Sequence, residues 1–327
     1  MNREINFSLW LDFIERGFLE SGEFDSLVEN GIINGATSNP AIFQQAFTTS
    51  KAYISKIEVL KKEGLSPKKI YENLAISDIK LTAKKLLPLF KDGNMGYVSI
   101  EVDPFFSDSS KDTIDEGIRL FEEIGFENVM IKIPATDAGY IAMEELFAQD
   151  IPVNATLIFS LDEAIKSADA MQRGQKRAKY KTAKGVVSVF VSRLDKATSS
   201  QTFGIVNSSQ IYREIEKREY KNIVTLFAST GVKDDSLEPD FYIRKLLAEN
   251  SVNTAPLKTI QSYISSGMGG EKNLPLDLEF EDSVISAINQ VARINDNPTT
   301  DEVLKKLKSD GLEAFKISFN KIMEHLK

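Results

Sequence analysis

Cysteine is absent from this sequence of 327 residues, and histidine occurs once, at His325. The first absence removes disulfides, thiolate nucleophiles, iron–sulfur clusters and thiolate zinc sites. The second puts a Ser-His-Asp triad or a poly-histidine zinc site out of reach unless the C-terminal end folds into it. No run of about 18 apolar residues occurs either. The opening MNREINFSLWLDF meets Asp12 before a signal-type apolar core develops, so a cytoplasmic protein is expected. Positive charge is in deficit: 40 Lys+Arg against 48 Asp+Glu give −8, which repels phosphate backbones and anionic head groups. Nucleic acid and membrane surfaces are therefore disfavoured partners, and any chemistry has to run on lysine, carboxylates, hydroxyls and amides.

The hydrophobic share of 42% is enough for a real core, and the length suits one large barrel or two modest domains. Short apolar or β-branched runs at 7–14, 33–39, 97–103, 129–134, 153–159, 186–192, 223–229 and 251–257 alternate with helical patterns, the rhythm of a parallel α/β protein. Between them, Ile114, Ile118, Phe121 and Ile124 form one stripe before Gly125, and Ser160 with Glu163 reads as a capping box. Residues 41–92 look helical in two pieces, the second running from Pro67 to Gly93, and 278–327 forms a helical tail with apolar spacing through Val284, Ile288 and Val291 and again through Leu312, Phe315 and Phe319. The expected architecture is a single (β/α)₈ TIM-barrel domain over 1–327, with extra helices between the second and third strands and 278–327 as a C-terminal extension of the same domain. The basic stretch Arg173, Lys176, Arg177, Lys179, Lys181, Lys184 reads as a solvated helix end.

Side chains alternate across a strand. One face is expected to pack on helices: Val98, Ile100 and Val102; Val129, Ile131 and Ile133; Ala155, Leu157 and Phe159; Val187, Val189 and Val191; Val224, Leu226 and Ala228. The other carries Asp12, Ser99, Glu101, Lys132, Asn154, Thr156, Ser188, Ser192, Thr225 and Ser229. Strands buried on both faces normally read as continuous apolar runs, so ionisable groups on the inner parity point to the mouth of a barrel, where active sites lie.

Lys132, inside VMIKIP, is the sharpest signal. An ammonium on a largely dry strand face is costly unless paired or neutralised, and a desolvated lysine attacks carbonyl carbon to give a Schiff base. A structural ion pair with Asp12 or Glu101 is the competing explanation. Schiff-base chemistry needs a carboxyl group to shuttle protons and a base to take a hydroxyl proton as a carbon–carbon bond breaks. Asp12 and Glu101 can fill those places, or can form one salt-bridged triad with the lysine. Asn39, Asn154 and Thr156 suit sugar hydroxyls or a water, though such residues at strand ends also satisfy local backbone groups. Arg193, Ser229 and Lys233 are candidates for phosphate capture, since barrels hold phosphate near the last βα loops.

SNPAIF, SIEVDP, MIKIPATDAG, VNATLIFS, FVSRLD and ASTGVKD, in this order between Trp10 and Ser266, resemble the transaldolases. The TSNP and WLDF wording is closer to a bacterial subgroup. The resemblance implies a class I aldolase-type (β/α)₈ barrel, a Schiff-base-forming transferase of the pentose phosphate pathway. It would move a dihydroxyacetone unit from sedoheptulose 7-phosphate to glyceraldehyde 3-phosphate, giving erythrose 4-phosphate and fructose 6-phosphate, with no metal or organic cofactor. It makes Lys132 the Schiff-base residue and Asp12 the acceptor of the donor's C4 hydroxyl proton. Glu101 becomes the acid–base group acting through a water held by Thr156. Thr37, Asn39, Asn154 and Ser188 would orient the dihydroxyacetone moiety, and Arg193 and Ser229 occupy phosphate positions. Many family members carry Arg two residues after the counterpart of Ser229; this chain has Gly231 there, with Lys233 as the replacement cation.

Two other functions compete. Fructose-6-phosphate aldolases, which release dihydroxyacetone, tend to carry Gln in place of Glu101 and Tyr in place of Phe190, so both residues here favour transfer. A silent barrel that only binds a sugar phosphate has no need of an interior lysine beside two acids. Phosphorylated sugars are thus the expected partners, and a homodimer is the assembly left open.

Overall fold

The structure, a computed structural model, describes residues 5–198, 202–233, 236–269, 286, 289 and 298–327. The expected apolar positions Val284, Ile288 and Val291 lie outside them. Strands β1 (Ser8–Leu11), β2 (Gly35–Thr37), β3 (Tyr97–Glu101), β4 (Val129–Pro134), β5 (Val153–Ile158), β6 (Gly185–Phe190), β7 (Ile223–Ala228) and β8 (Val252–Ala255) close into a barrel in chain order. Every neighbouring pair is parallel. This is the expected (β/α)₈ barrel. The strands stop short of the expected segments because the residues that follow turn to other work: Asn39 caps a helix and Ser192 begins one.

The outer faces of β3 to β6 supply Val98, Ile100, Val129, Ile131, Ile133, Ala155, Val187 and Val189 to one fully buried cluster shared with the helices. Each aliphatic side chain so buried stabilises the fold by about 1.5–3 kcal/mol. Inside, Trp10, Tyr97, Met130, Val186, Leu226 and Val252 fill the N-terminal half of the barrel. The polar residues of the inner parity follow further along the same strands, near their C-terminal ends.

Two strands depart from the expected parity. In β5 the register with β6 shifts between Ala155 and Ile158, and Leu157 takes a left-handed φ of 55°. Thr156 and Leu157 therefore both avoid the helix-facing side; Ile158 takes the outer place, while Leu157 and Phe159 join the interior cluster. A bulge adds one residue and reverses the alternation beyond it. In β7 the pairing sets Leu226 beside Ser188 and Thr225 beside Val187, so Val224, Leu226 and Ala228 face inward and Thr225 faces the helices. The lower barrel needs apolar filling, which overrides the polarity of Thr225.

The insertion between β2 and β3 forms three α-helices where two were expected: Pro40–Thr49, Ile54–Lys62 and Pro67–Lys91. Ser50, in extended conformation, ends the first, and its side chain accepts from Ala52 N to start a short 3₁₀ turn that leads into the second. Ser66 and Pro67 start the long helix as expected. The capping box of Ser160 and Glu163 and the left-handed Gly125 after helix Ser110–Ile124 also stand where the sequence places them. In the basic stretch, Arg173 and Arg177 pair with Glu144 and Glu145 on the neighbouring helix, each at 2.7 Å.

The last helix, Thr300–His325, lies across the C-terminal end of the barrel. Phe319 packs edge-on against Tyr71 and Phe105, at 5.1 and 6.3 Å between ring centroids. Lys308 pairs with Glu163 at 3.2 Å. Gly311 sits at the closest approach: a Cβ there would stand 2.9 Å from Leu157 Cδ2 and 3.4 Å from an Arg193 terminal nitrogen. Leu157 lies at the end of β5, and Phe105, Glu163 and Arg193 follow β3, β5 and β6, so the helix roofs the barrel mouth. Among the described residues no helix is long and apolar enough to cross a membrane.

Candidate active site

Lys132 sits on the inner face of β4, in register with Glu101 of β3 on one side and Asn154 of β5 on the other. The first neighbour decides the local electrostatics. Lys132 Nζ stands 3.5 Å from Glu101 Oε2 and donates to the Ser38 carbonyl at 3.1 Å. Both ionisable residues are buried, at 5% and 6% exposure. Taking two such charges from water costs several kcal/mol per ion, which their attraction only partly repays. A pair of this kind is an unfavourable way to stabilise a barrel and a suitable way to hold a reactive amine. Burial pushes the Glu101 carboxyl up to about 7, against the opposing pull of Lys132, so the group exchanges a proton near neutrality.

Asp12, just beyond β1, is not the ion-pair partner of Lys132. Its Oδ1 accepts from the Thr37 hydroxyl at 2.6 Å. Thr37 lies 2.7 Å from the Thr254 hydroxyl; since Thr37 spends its one proton on Asp12, Thr254 must donate to Thr37. The chain of two hydroxyls fixes one carboxylate oxygen and leaves the other toward the cavity. Asn154 is held likewise: Nδ2 donates to Ser99 Oγ at 3.0 Å and Oδ1 accepts from Ser188 Oγ at 2.6 Å. One amide N–H is left over to meet a ligand. The buried Thr156 hydroxyl has no hydrogen-bond partner in the protein.

These groups surround a cavity of about 230 Å³. Ten of the twelve expected site residues line it: Asp12, Thr37, Asn39, Lys132, Asn154, Ser188, Phe190, Arg193, Ser229 and Lys233. Glu101 and Thr156 belong to the strands on either side of Lys132 without lining it. Asn39 has a second duty, its Oδ1 accepting from Ala41 N at 3.0 Å and Ile42 N at 3.1 Å as the cap of helix Pro40–Thr49. Ser229 reaches the cavity through a left-handed φ of 55°, outside the strand alternation. Its hydroxyl lies 3.2 Å from that of Ser192, which does not line the cavity.

One end of the cavity is cationic. The Arg193 guanidinium stacks over the Phe190 ring at 5.0 Å, and burial lowers its pKa from the usual arginine range. Lys233 reaches in from the rim; partial burial of its ammonium, then the charges of Arg193 and Lys196, push its pKa down. Neither forms an ion pair among the described residues. Gly231 brings no cation, and a Cβ there would stand 3.1 Å from Pro256 Cγ, so Lys233 supplies the second positive charge. Among the described residues, no cluster of three or more His, Asp or Glu side chains is arranged to hold a metal ion.

Eight further residues line the cavity, among them Thr254 and Phe315, which were not expected at the site. Thr254 relays the Asp12 hydrogen-bond chain from β8. Phe315, from the roofing helix, sets its ring 5.9 Å from Lys132 Nζ. Its apolar spacing with Leu312 and Phe319 signals a buried stripe but not which part of the barrel the stripe covers.

The profile of the Transaldolase/Fructose-6-phosphate aldolase family matches residues 9–326. The chain belongs to that family. It is 45% identical to a transaldolase of Campylobacter jejuni subsp. doylei, with 98% of this chain and 99% of the relative covered. To a transaldolase of Helicobacter pylori it is 41% identical, with 97% and 98% covered. The family spans transferases and aldolases alike, whereas these full-length relatives are named transaldolases.

Proposed function

We propose that this enzyme is a transaldolase that carries a dihydroxyacetone unit on Lys132, from sedoheptulose 7-phosphate to glyceraldehyde 3-phosphate. The observation that carries the reading is the buried Lys132 amine facing the cavity with Glu101 on one side and an oriented Asp12 nearby. The neutral amine attacks the ketose C2, giving a carbinolamine. Glu101, protonated in part near neutral pH, delivers a proton through a water held by Thr156, and hydroxide leaves as water to give the iminium. Asp12 takes the C4 hydroxyl proton as the C3–C4 bond breaks; the electron pair of that bond flows to the iminium nitrogen, and erythrose 4-phosphate departs. The enamine then attacks the acceptor aldehyde, and the steps run backwards to release fructose 6-phosphate. Asn154, Ser188, Thr37 and Asn39 orient the hydroxyls of the three-carbon unit, while Arg193, Lys233 and Ser229 take the phosphate.

Borohydride reduction in the presence of fructose 6-phosphate tests this. A dihydroxyacetone-derived mass increase mapped to Lys132, with no adduct on Lys132→Ala, is the expected result. Normal turnover by Lys132→Ala would end the proposal.

A further inference from the structure

We infer that Phe315 governs the partition of the reaction, keeping the three-carbon intermediate for transfer by sealing the Lys132 side of the cavity against water. The inference rests on the Schiff-base reading above. Its ground is the placement of one aromatic ring by an element that carries none of the sequence motifs. Phe315 is 4% exposed although Ile317, two residues on in the same helix, is 46% exposed. Its ring lies 5.9 Å from Lys132 Nζ and forms part of the cavity wall.

The seating of that ring is specified at several points. The Leu157 bulge turns an aliphatic side chain upward, and Gly311, one turn before Phe315, lets the helix close onto it. Lys308 on Glu163 and Phe319 on Tyr71 fix the helix on either side of Phe315. The ring belongs to an apolar cluster with Leu157, Phe159 and Phe190, whereas Asp12, Thr37 and Asn154 give the cavity a polar wall.

The chemistry makes a seal matter. After C3–C4 cleavage the enamine has two fates. Its nucleophilic carbon can attack an aldehyde, which conserves the C–N bond to Lys132. Alternatively that carbon takes a proton to give an iminium; water adds at C2, the C–N bond breaks, and free dihydroxyacetone leaves with Lys132 restored as the amine. Hydrolysis of an iminium by the water that Thr156 holds ends both routes, since it also releases fructose 6-phosphate; what sets the second route apart is protonation of the enamine carbon. Excluding further water from the enamine removes a proton donor and lowers the second rate without touching the attack on the aldehyde. A ring face toward the nitrogen also suits the cationic iminium, a charge it can meet without donating a proton.

The test is the ratio of free dihydroxyacetone to sedoheptulose 7-phosphate formed from fructose 6-phosphate with erythrose 4-phosphate present. Phe315→Ala is expected to raise that ratio by about tenfold or more, through faster release, since it opens the water-excluded side. Borohydride should still trap the three-carbon adduct on Lys132. A folded Phe315→Ala protein with a ratio within about twofold of the parent, or one whose ratio rises only because transfer slows, overturns the inference. Where Phe315→Ala fails to fold by circular dichroism, Phe315→Val decides. Release raised about two- to fivefold supports the seal; unchanged release overturns it. If the parent enzyme itself gives no Lys132 adduct, the underlying reading fails, which the ratio alone does not register.

Discussion

Glu101 and Lys132 are cross-strand partners. The β3–β4 register sets their backbones side by side, and their charged ends stand 3.5 Å apart inside the barrel. An ion pair held only for structure and a proton-exchanging pair differ in what Glu101→Gln does. The amide keeps the shape and loses the exchangeable proton. We expect kcat to fall by about 10²–10⁴, with slower borohydride trapping and a folded protein. A variant that loses stability but keeps kcat within a few-fold would assign the pair to structure alone.

The same carboxyl makes stability depend on pH. Its value of about 7 in the folded protein lies above its ordinary 4.5, so the folded state holds the proton more tightly than the unfolded one. The stabilisation is complete below pH 4.5 and is lost as pH rises to about 7. Urea unfolding at pH 5 and pH 8 should show the parent losing more stability than Glu101→Gln across that interval. Asp78, pushed up to about 6, acts in the same direction but is present in both proteins and cancels in the difference. Equal losses would contradict the raised carboxyl.

Much of this architecture could be read before any coordinates, for a physical reason. Period-two alternation distinguishes the inside of a barrel from its outside wherever the interior is polar, as at Ser99, Glu101, Lys132, Asn154 and Ser188. It fails where the interior is apolar too. In β7, Leu226 and Thr225 could each face either way, and only pairing with β6 decides. It fails again at Leu157, because a single left-handed residue reverses all that follows. The roof was hidden for another reason. The stripe through Leu312, Phe315 and Phe319 specifies that a helix is buried on one side, not that the burying surface is a reactive cavity 180 residues earlier in the chain.

Gly35 is the point at which β2 passes Trp10. A Cβ at that position would stand 2.5 Å from the indole ring atoms, and the Trp10 side chain is wholly buried with no room to retreat. Overpacking of this type costs about 1–3 kcal/mol. Gly35→Ala should therefore lower the urea midpoint with an unchanged slope. Since Gly35 is in the same short strand as Thr37, a loss of kcat beyond the loss of folded protein would show that the indole sets the height of the Thr37–Asp12 pair.

Arg193, half-buried, and Lys233, at the exposed rim, line the cavity as cations without ion-pair partners among the described residues, an arrangement suited to an incoming dianion. Removing one charge-assisted contact costs about 1.5–3 kcal/mol. Arg193→Ala and Lys233→Ala should accordingly raise KM for fructose 6-phosphate by about 10–150-fold. Competitive inhibition by inorganic phosphate should weaken in parallel. Turnover of unphosphorylated fructose is the control: if both variants impair it equally, the cations serve the fold and not the phosphate.

Asp12 differs from Glu101 in being fixed by hydroxyls instead of by the amine. Thr37 donates to it at 2.6 Å, and Thr254 stands behind Thr37, so the carboxylate is aimed before any sugar arrives. A base so placed acts on the C4 hydroxyl after the imine has formed, and its loss should separate the two halves of the reaction. Asp12→Asn is expected to form the Lys132 adduct at near the parent rate and to cleave it about 10²–10⁴ more slowly. Borohydride quenching followed by intact-mass measurement distinguishes the species: the parent accumulates the three-carbon adduct, the variant the full ketose phosphate. Thr37→Val, which leaves the carboxylate in place and removes its donor, should show a mixture of both masses. If Asp12→Asn yields the three-carbon adduct at the parent rate, the proton goes elsewhere, and Glu101 becomes the base for both halves.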